Sequence, residues 1–149
     1  MNRKAIRNIV IALLLFGAAA AIYVYKEYNR KMVSIAEVST DYTISDTALI
    51  SAFTINEKAA HAKYIDKALH VTGQLKAIDK DEKGNYTLVL GDSASLSSVR
   101  CSMDSTFAPD KYAIRKGGPV QIKGRCTGFT ADELLGADLI LNRCVVYNN

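Results

Sequence analysis

The spacing of apolar residues along the chain changes once, and no turn signal marks the change. From Ser45, which can cap a helix together with Asp46, the apolar positions fall near one helical face: Leu49, Phe53, Ala60 and Tyr64. From Leu69 onward the apolar and polar positions alternate, which is the period of a β-strand. The pattern therefore predicts a helix over residues 45–67 that leads directly into the first strand of a sheet.

Four more strands are predicted after this first one. Their sequences are "YTLVLGD", "VRCSM", "PVQIKGRC" and "DLILNRCVVY". Residues 105–116 lie between the third and fourth strands and carry a weak helical pattern that ends at two glycines. Gly73 in the middle of the first strand suggests a bend or a bulge. We expect a mainly β domain: a five-stranded OB-fold Greek-key barrel with an N-terminal packing helix.

The N-terminal segment has a different character from the rest of the chain. Seventeen residues without a charge, Ile9 to Tyr25, follow a short head with three basic residues. As a helix this run is roughly 25 Å long, the short end of what crosses a hydrocarbon core. We expect one transmembrane helix, giving an anchor at 1–28, a polar tether at 29–44 and the OB-fold domain at 45–149. A cleaved signal peptide and a helix buried in a soluble core are the alternatives.

The basic head also bears on which side of the membrane the domain occupies. A positively charged head is costly to translocate, which places it in the cytoplasm and the domain on the periplasmic or extracytoplasmic side. The expected location is thus a bacterial membrane crossed once, or secretion if the segment is cleaved.

The net charge of +4 belongs to the residues around the predicted anchor. Residues 41–149 contain thirteen Lys/Arg and thirteen Asp/Glu, so the predicted domain is neutral. Nucleic-acid binders usually carry a basic footprint, because phosphate contacts dominate their affinity. The equal numbers of basic and acidic residues argue against nucleic acid as a partner of the domain as a whole. A local basic stripe on its surface remains an alternative.

The sequence offers no catalytic constellation. The two histidines, His61 and His70, have no nucleophile near them in sequence, and no phosphate-binding or dinucleotide motif is present. The acidic turn "DKDEKGN" lacks the spacing and the closing Glu of a calcium loop. We expect a protein that is not an enzyme and has neither cofactor nor metal.

Three cysteines, Cys101, Cys126 and Cys144, lie in predicted strands. In an oxidising compartment they predict one disulfide and one buried thiol. A hairpin centred near Leu135 would place Cys126 opposite Cys144 at a separation that a disulfide can span. Cys101 with Cys144 is the rival pair, and three reduced thiols remain a further alternative.

Three segments resemble a known family. They are "LISAFTINEKAAHAKYIDKALHVTGQL", "VQIKGRCTGF" and "LILNRC", and the resemblance covers roughly residues 48–147. In these segments the chain resembles the tRNA_anti-like family of bacterial OB-fold proteins, which are small membrane-anchored or exported chains. The resemblance implies an OB-fold and carries no established substrate.

OB-folds bind ligands through their second and third strands and through the loops after the first and fourth. A non-enzymatic, membrane-anchored binding module facing the cell envelope is therefore expected, with a protein or an oligosaccharide as its unknown ligand. The alternative is a module that binds single-stranded DNA or RNA. Two of the candidate residues are aromatic and could belong to the core instead. The candidate ligand-binding residues are Lys76, Tyr86, Arg100, Arg125 and Phe129.

Overall fold

The computed structural model describes residues 3–28 and 34–147, and the chain divides into two compact units at residue 34. The first unit contains helix α1, Arg3–Tyr28. None of the helices that these described residues form combines the length and the apolar character needed to cross a membrane. Residues 1–2 of the predicted anchor and 29–33 of the predicted tether lie outside the described residues.

The second unit is a β-sheet covered at one end by two short helices. Its elements in chain order are β1 Tyr42–Ser45, α2 Asp46–Ile55, α3 Glu57–Tyr64, β2 Ala68–Lys80, β3 Tyr86–Leu90, β4 Ser98–Met103, a 3₁₀ turn Pro109–Lys111, β5 Pro119–Asp132 and β6 Gly136–Val146.

Five of the six strands form a closed circuit of hydrogen-bonded ladders. The order is β2-β3-β4-β6-β5, and β5 pairs again with β2. Strand β2 is long enough to do both: residues 68–74 pair with β5 and residues 75–80 pair with β3. A bulge between Leu75 and Ala77 separates the two halves, close to the bend predicted at Gly73. This strand order is that of the OB-fold.

Strand β1 is a sixth strand that the sequence pattern did not predict. It runs parallel to β2, with Tyr42 opposite Leu69 and Ser45 opposite Thr72. It has only four residues, and a parallel pair leaves no hairpin signal in the sequence. The five predicted strands therefore correspond to the closed circuit of β2 to β6, and the edge strand β1 was not predicted.

The predicted helix over 45–67 is two helices that meet at Asn56. The Asn56 backbone nitrogen donates to the Ala52 carbonyl at 3.2 Å and ends α2. Its side-chain oxygen accepts from the Ala59 nitrogen at 3.0 Å and caps α3. Ser45 caps α2 as predicted, accepting from the Ala48 nitrogen at 3.3 Å. The predicted apolar face is buried as a whole: Leu49, Phe53, Ala60 and Tyr64.

The junction between α3 and β2 is a tight corner held by backbone contacts. Asp66 adopts a left-handed conformation with φ of 62°. Its backbone nitrogen donates to the Cys126 carbonyl at 2.8 Å, and the Cys126 nitrogen donates to the Lys67 carbonyl at 3.1 Å. The chain can therefore pass from helix to strand without a longer turn, because the corner is tied to β5.

The described part of the predicted tether, residues 34–44, packs against the sheet. Ile35 is only 3% exposed. The buried Lys123 ammonium donates to the carbonyls of Ala36 and Val38. Asp41 and Ala68 exchange two hydrogen bonds of 2.8 Å each. These residues therefore belong to the folded unit.

Candidate binding surfaces

The outer side of β3 and β4 forms a shallow polar surface, which we call the polar face. Strand pairing sets Asp79 opposite Thr87 and Thr87 opposite Ser102, while Arg100 lies opposite Ile140 of β6. Because side chains alternate along a strand, these residues point away from the core. The depression at this position has a volume of about 290 Å³, and it is lined by Asp79, Lys80, Asp81, Thr87, Arg100, Ser102 and Ile140.

Arg100 is the centre of the polar face and lies between two carboxylates. Its guanidinium is 3.3 Å from the Asp79 carboxylate and 3.8 Å from that of Asp138. Asp138 is fixed in turn by the Ser98 hydroxyl, which donates to it at 2.7 Å. Ion pairs this exposed add little to stability, but they restrict where the guanidinium can point. A phosphate that approached Arg100 would meet the carboxylates of Asp79 and Asp138 beside the guanidinium.

The two aromatic candidates, Tyr86 and Phe129, pack against the protein itself. Tyr86 shares the inward phase of β3 with the buried Leu88, and its ring makes an edge contact with Phe107 at 5.7 Å between centroids. The Phe129 ring stacks on the buried Phe53 at 4.9 Å. The structure thus places both rings with the core, which is the alternative that the sequence left open, and not beside Arg100.

The remaining two cationic candidates hold backbone carbonyls. Lys76 donates to the Ser95 carbonyl at 2.5 Å and so fastens the loop that precedes β4. Arg125 donates to the Asp66 carbonyl at 2.7 Å and fastens the corner after α3. Of the five candidate residues, Arg100 alone lines the depression on the polar face.

The acidic turn between β2 and β3 is organised by one carboxylate. Asp81 accepts from the backbone nitrogens of Lys83 and Asn85 and from the Asn85 side chain, at 2.8–2.9 Å. The bonds from Asn85 hold the pKa of the Asp81 carboxyl below its usual value. Among the residues the structure describes, no group of three acidic, histidine or cysteine side chains is placed to hold a metal ion.

The predicted disulfide between Cys126 and Cys144 is not present, and all three cysteines are free and buried. Asp132 pairs with Gly136, so the β5–β6 hairpin is centred at Leu134 and not at Leu135. A bulge between Cys126 and Gly128 shifts the ladder by one more residue and sets Cys126 opposite Leu141. The prediction of this pair was wrong because the hairpin is centred one residue earlier than assumed and because the bulge adds a further shift. The rival partner, Cys101, lies on β4 close to the Cys144 thiol.

Burial keeps the thiols of Cys126 and Cys144 protonated. It raises the pKa of the Cys126 thiol from an ordinary 9.0 to about 12. The pKa of the Cys144 thiol is raised well above its usual value by burial and then by the neighbouring Cys101 thiol. Since the thiolate is the reactive form, neither cysteine is a nucleophile in the folded protein at neutral pH.

This raised pKa predicts a loss of stability at alkaline pH. Between pH 9 and 12 the unfolded chain loses the Cys126 proton that the folded chain retains, so rising pH favours unfolding. The free energy of unfolding should fall by up to about 1.4 kcal/mol per pH unit for this thiol and be unaffected by it below pH 9. Urea unfolding of the wild type and Cys126→Ala at about pH 8 and about pH 10 measures this. The stability difference between the two proteins should shrink by about 1 kcal/mol; an unchanged difference would contradict the assignment.

A second, larger depression lies away from the polar face, and we call it the tyrosine groove. It is formed by residues 111–114 and by the adjoining parts of β5 and β6, and its volume is about 660 Å³. Sequence analysis did not select its residues, although the cluster Lys111, Arg115 and Lys116 was a visible signal. The lining residues are Lys111, Tyr112, Ala113, Ile114, Pro119, Val120, Gln121, Val146 and Tyr147.

Comparison with known proteins agrees with this architecture. The structure is similar to that of a candidate nucleic acid-binding lipoprotein from Klebsiella pneumoniae, with 20% identity and a TM-score of 0.53, over 70% of this chain and 91% of that one. A weaker likeness is to the second OB-fold domain of replication protein A from Methanococcus maripaludis, with 13% identity and a TM-score of 0.34, over 58% and 89% of the two chains. A sequence comparison with curated proteins found no match. The family model tRNA_anti-like matches residues 1–143, and the chain therefore belongs to the tRNA_anti-like family.

Proposed function

We propose that this protein is a non-enzymatic OB-fold binding module that holds a protein partner on its polar face. The observation that carries the proposal is the placement of Arg100 between Asp79 and Asp138, at 3.3 and 3.8 Å. The hydroxyl residues Thr87 and Ser102 line the same depression. The surface thus offers charges of both signs and hydroxyl groups at fixed positions.

The composition of the polar face favours a protein over the other ligands considered. Among the residues described in its depression none is aromatic, whereas single-stranded nucleic acids are usually bound by stacking on aromatic rings. The same lack of rings favours a protein over an oligosaccharide, since the face has no ring for a sugar to pack on. Arginine is enriched in protein–protein interfaces and often contributes much of their binding energy.

We further propose that the module is held at a bacterial membrane by its N-terminal segment, with the domain outside the cytoplasm. Support comes from the uncharged run Ile9–Tyr25, which follows a basic head and lies within helix α1. Treatment of intact cells with protease after outer-membrane permeabilisation tests this placement. Degradation of the domain before a cytoplasmic marker is the expected result, and protection until the cells are lysed would contradict it.

Site-specific photo-cross-linking tests the polar face. A photoreactive amino acid at Ser102 in the full-length chain, activated in living cells, should give a discrete protein adduct on denaturing gels. The matched control carries the same residue at Lys58, which is exposed on α3. An adduct at Ser102 that is absent at Lys58 supports the proposal. Lack of any Ser102 adduct, or equal adducts at both positions, would contradict it.

Nucleic-acid binding is the second candidate function, and one local observation favours it. Residues 109–125 contain five Lys/Arg and a single Asp, although the domain as a whole is neutral. Two of the five, Lys123 and Arg125, already hold carbonyl groups. The remaining three, Lys111, Arg115 and Lys116, are exposed beside the tyrosine groove.

A further inference from the structure

We infer that the tyrosine groove is a binding site for a nucleotide unit, meaning an aromatic base that carries phosphate. This inference rests on the second candidate function and gives that function a place on the molecule. The groove is separate from the polar face: its lining residues come from the segment before β5 and from β5 and β6. Its volume of about 660 Å³ lies within the range of small-molecule sites in proteins.

Two tyrosines of the groove are held in place by other rings. Tyr147 is 40% exposed, its ring centroid is 4.5 Å from that of His70, and its backbone nitrogen donates to the Gln121 carbonyl at 2.9 Å. The half-buried Tyr112 ring stacks on Phe107 at 5.5 Å, with an angle of 12° between the planes. Rings that are already positioned lose little freedom when a planar ligand packs on them.

A hydrogen-bonding group lies next to these rings. Gln121 is exposed on β5 and lines the groove. Its side-chain oxygen is 3.1 Å from the His70 Nε2 atom, which fixes the plane of the amide. A carboxamide carries both donors and an acceptor, so this side chain can pair with the edge of a base that stacks on Tyr147.

The charge around the groove selects an anionic ligand. Lys111 lines it, and Arg115 and Lys116 follow the lining residue Ile114 in the chain. Asp110 is the acidic residue within this segment. The polar face differs, because its arginine is flanked by two carboxylates. Stacking rings beside a cluster of cations are the combination that binds single-stranded nucleic acid and nucleotides.

Binding of two probes to the full-length protein tests the inference. A short fluorescein-labelled single-stranded DNA is followed by fluorescence anisotropy, and AMP is used as an unlabelled competitor and in direct calorimetry. We expect saturable binding that weakens at least tenfold in Tyr147→Leu and is retained in Tyr147→Phe, which keeps the ring. Lys116→Gln should weaken binding and reduce its dependence on salt, whereas Lys58→Gln on α3 should change neither.

The outcomes separate the groove from the function it serves. DNA binding that exceeds AMP binding and depends on the Tyr147 ring supports the inference with a nucleic-acid chain as the source of the nucleotide unit. Equal, ring-dependent binding of AMP supports it with a free nucleotide as the source. If Tyr147→Leu and wild type bind DNA equally, the inference that the tyrosine groove is the site is overturned, while nucleic-acid binding by the protein still stands. Binding of neither probe by wild-type protein with a normal unfolding transition overturns both.

Discussion

Replacing Phe53 by alanine is expected to lower the free energy of unfolding by about 4 kcal/mol, the usual cost of deleting a fully buried ring. Phe53 is 1% exposed and joins α2 to the sheet, because its ring stacks on Phe129 of β5 at 4.9 Å and lies 6.1 Å from Tyr64 of α3. Urea unfolding followed by circular dichroism measures the change. Ile55→Ala on the same helix is the control, since this side chain is 84% exposed and its loss should cost less than about 0.5 kcal/mol.

A double-mutant cycle extends this test to Phe129, which the sequence offered as a ligand contact. If Phe129 is a packing residue, Phe129→Ala alone destabilises the protein, and the combination with Phe53→Ala costs about 1 kcal/mol less than the two single changes together. A Phe129→Ala protein with wild-type stability would make this residue a candidate ligand contact again and contradict the structural assignment.

The substitution Gly124→Ala is expected to destabilise the protein by about 2–3 kcal/mol through overpacking. A β-carbon at this position would lie 2.5 Å from the Cys144 sulfur and 3.3 Å from the Leu141 β-carbon. Both neighbours are fully buried, so neither can move without disturbing the core. The unfolding midpoint in urea, measured at unchanged slope, reports the change.

Two variants decide whether overpacking is the cause. Gly128→Ala lies on the same strand, but its added carbon would come no closer than 3.7 Å to Ile140, so its effect should stay within about 1 kcal/mol. Adding Cys144→Ala to Gly124→Ala removes the sulfur in the way, and the pair should be more stable than the two single effects together predict. Simple additivity of the two effects would contradict overpacking against the sulfur as the cause.

The elements that the sequence predicted well are those with a long hydrophobic period. The apolar face of the helical region and the alternation that begins at Leu69 come directly from burial on one side of each element. The helix break at Asn56 was missed because apolar spacing continues across it. One side-chain cap there replaces helical hydrogen bonds at little cost.

The register of the β5–β6 hairpin could not be predicted from the spacing of apolar residues alone. A hairpin centre one residue earlier than predicted, together with one bulge between Cys126 and Gly128, was enough to separate Cys126 from Cys144. Bulges follow from how strands must coil to close a small sheet, and that geometry depends on partners distant in sequence. Cross-strand pairing is therefore less predictable than the presence of a strand.

In the candidate site too, the sequence predicted that Arg100 lies outside the core but not which residues it contacts. Arg100 was found because strand alternation places it outside the core, and its ion pairs could not be foreseen since Asp79 and Asp138 come from other strands. Tyr86 and Phe129 were chosen by residue type, which does not tell a stacking platform from a packing residue. Tyr147 was not considered, because its groove exists only after the 111–114 segment meets β5 and β6.

We propose that Arg100 is the residue of the polar face that recognises the protein partner. The most direct test is the yield of the Ser102 photo-adduct in living cells when Arg100 is replaced by glutamine, with Lys76→Gln as a cation control away from this depression. We expect at least a tenfold loss of adduct in Arg100→Gln, at normal protein level, and no loss in Lys76→Gln. A wild-type yield of adduct in Arg100→Gln would contradict the claim.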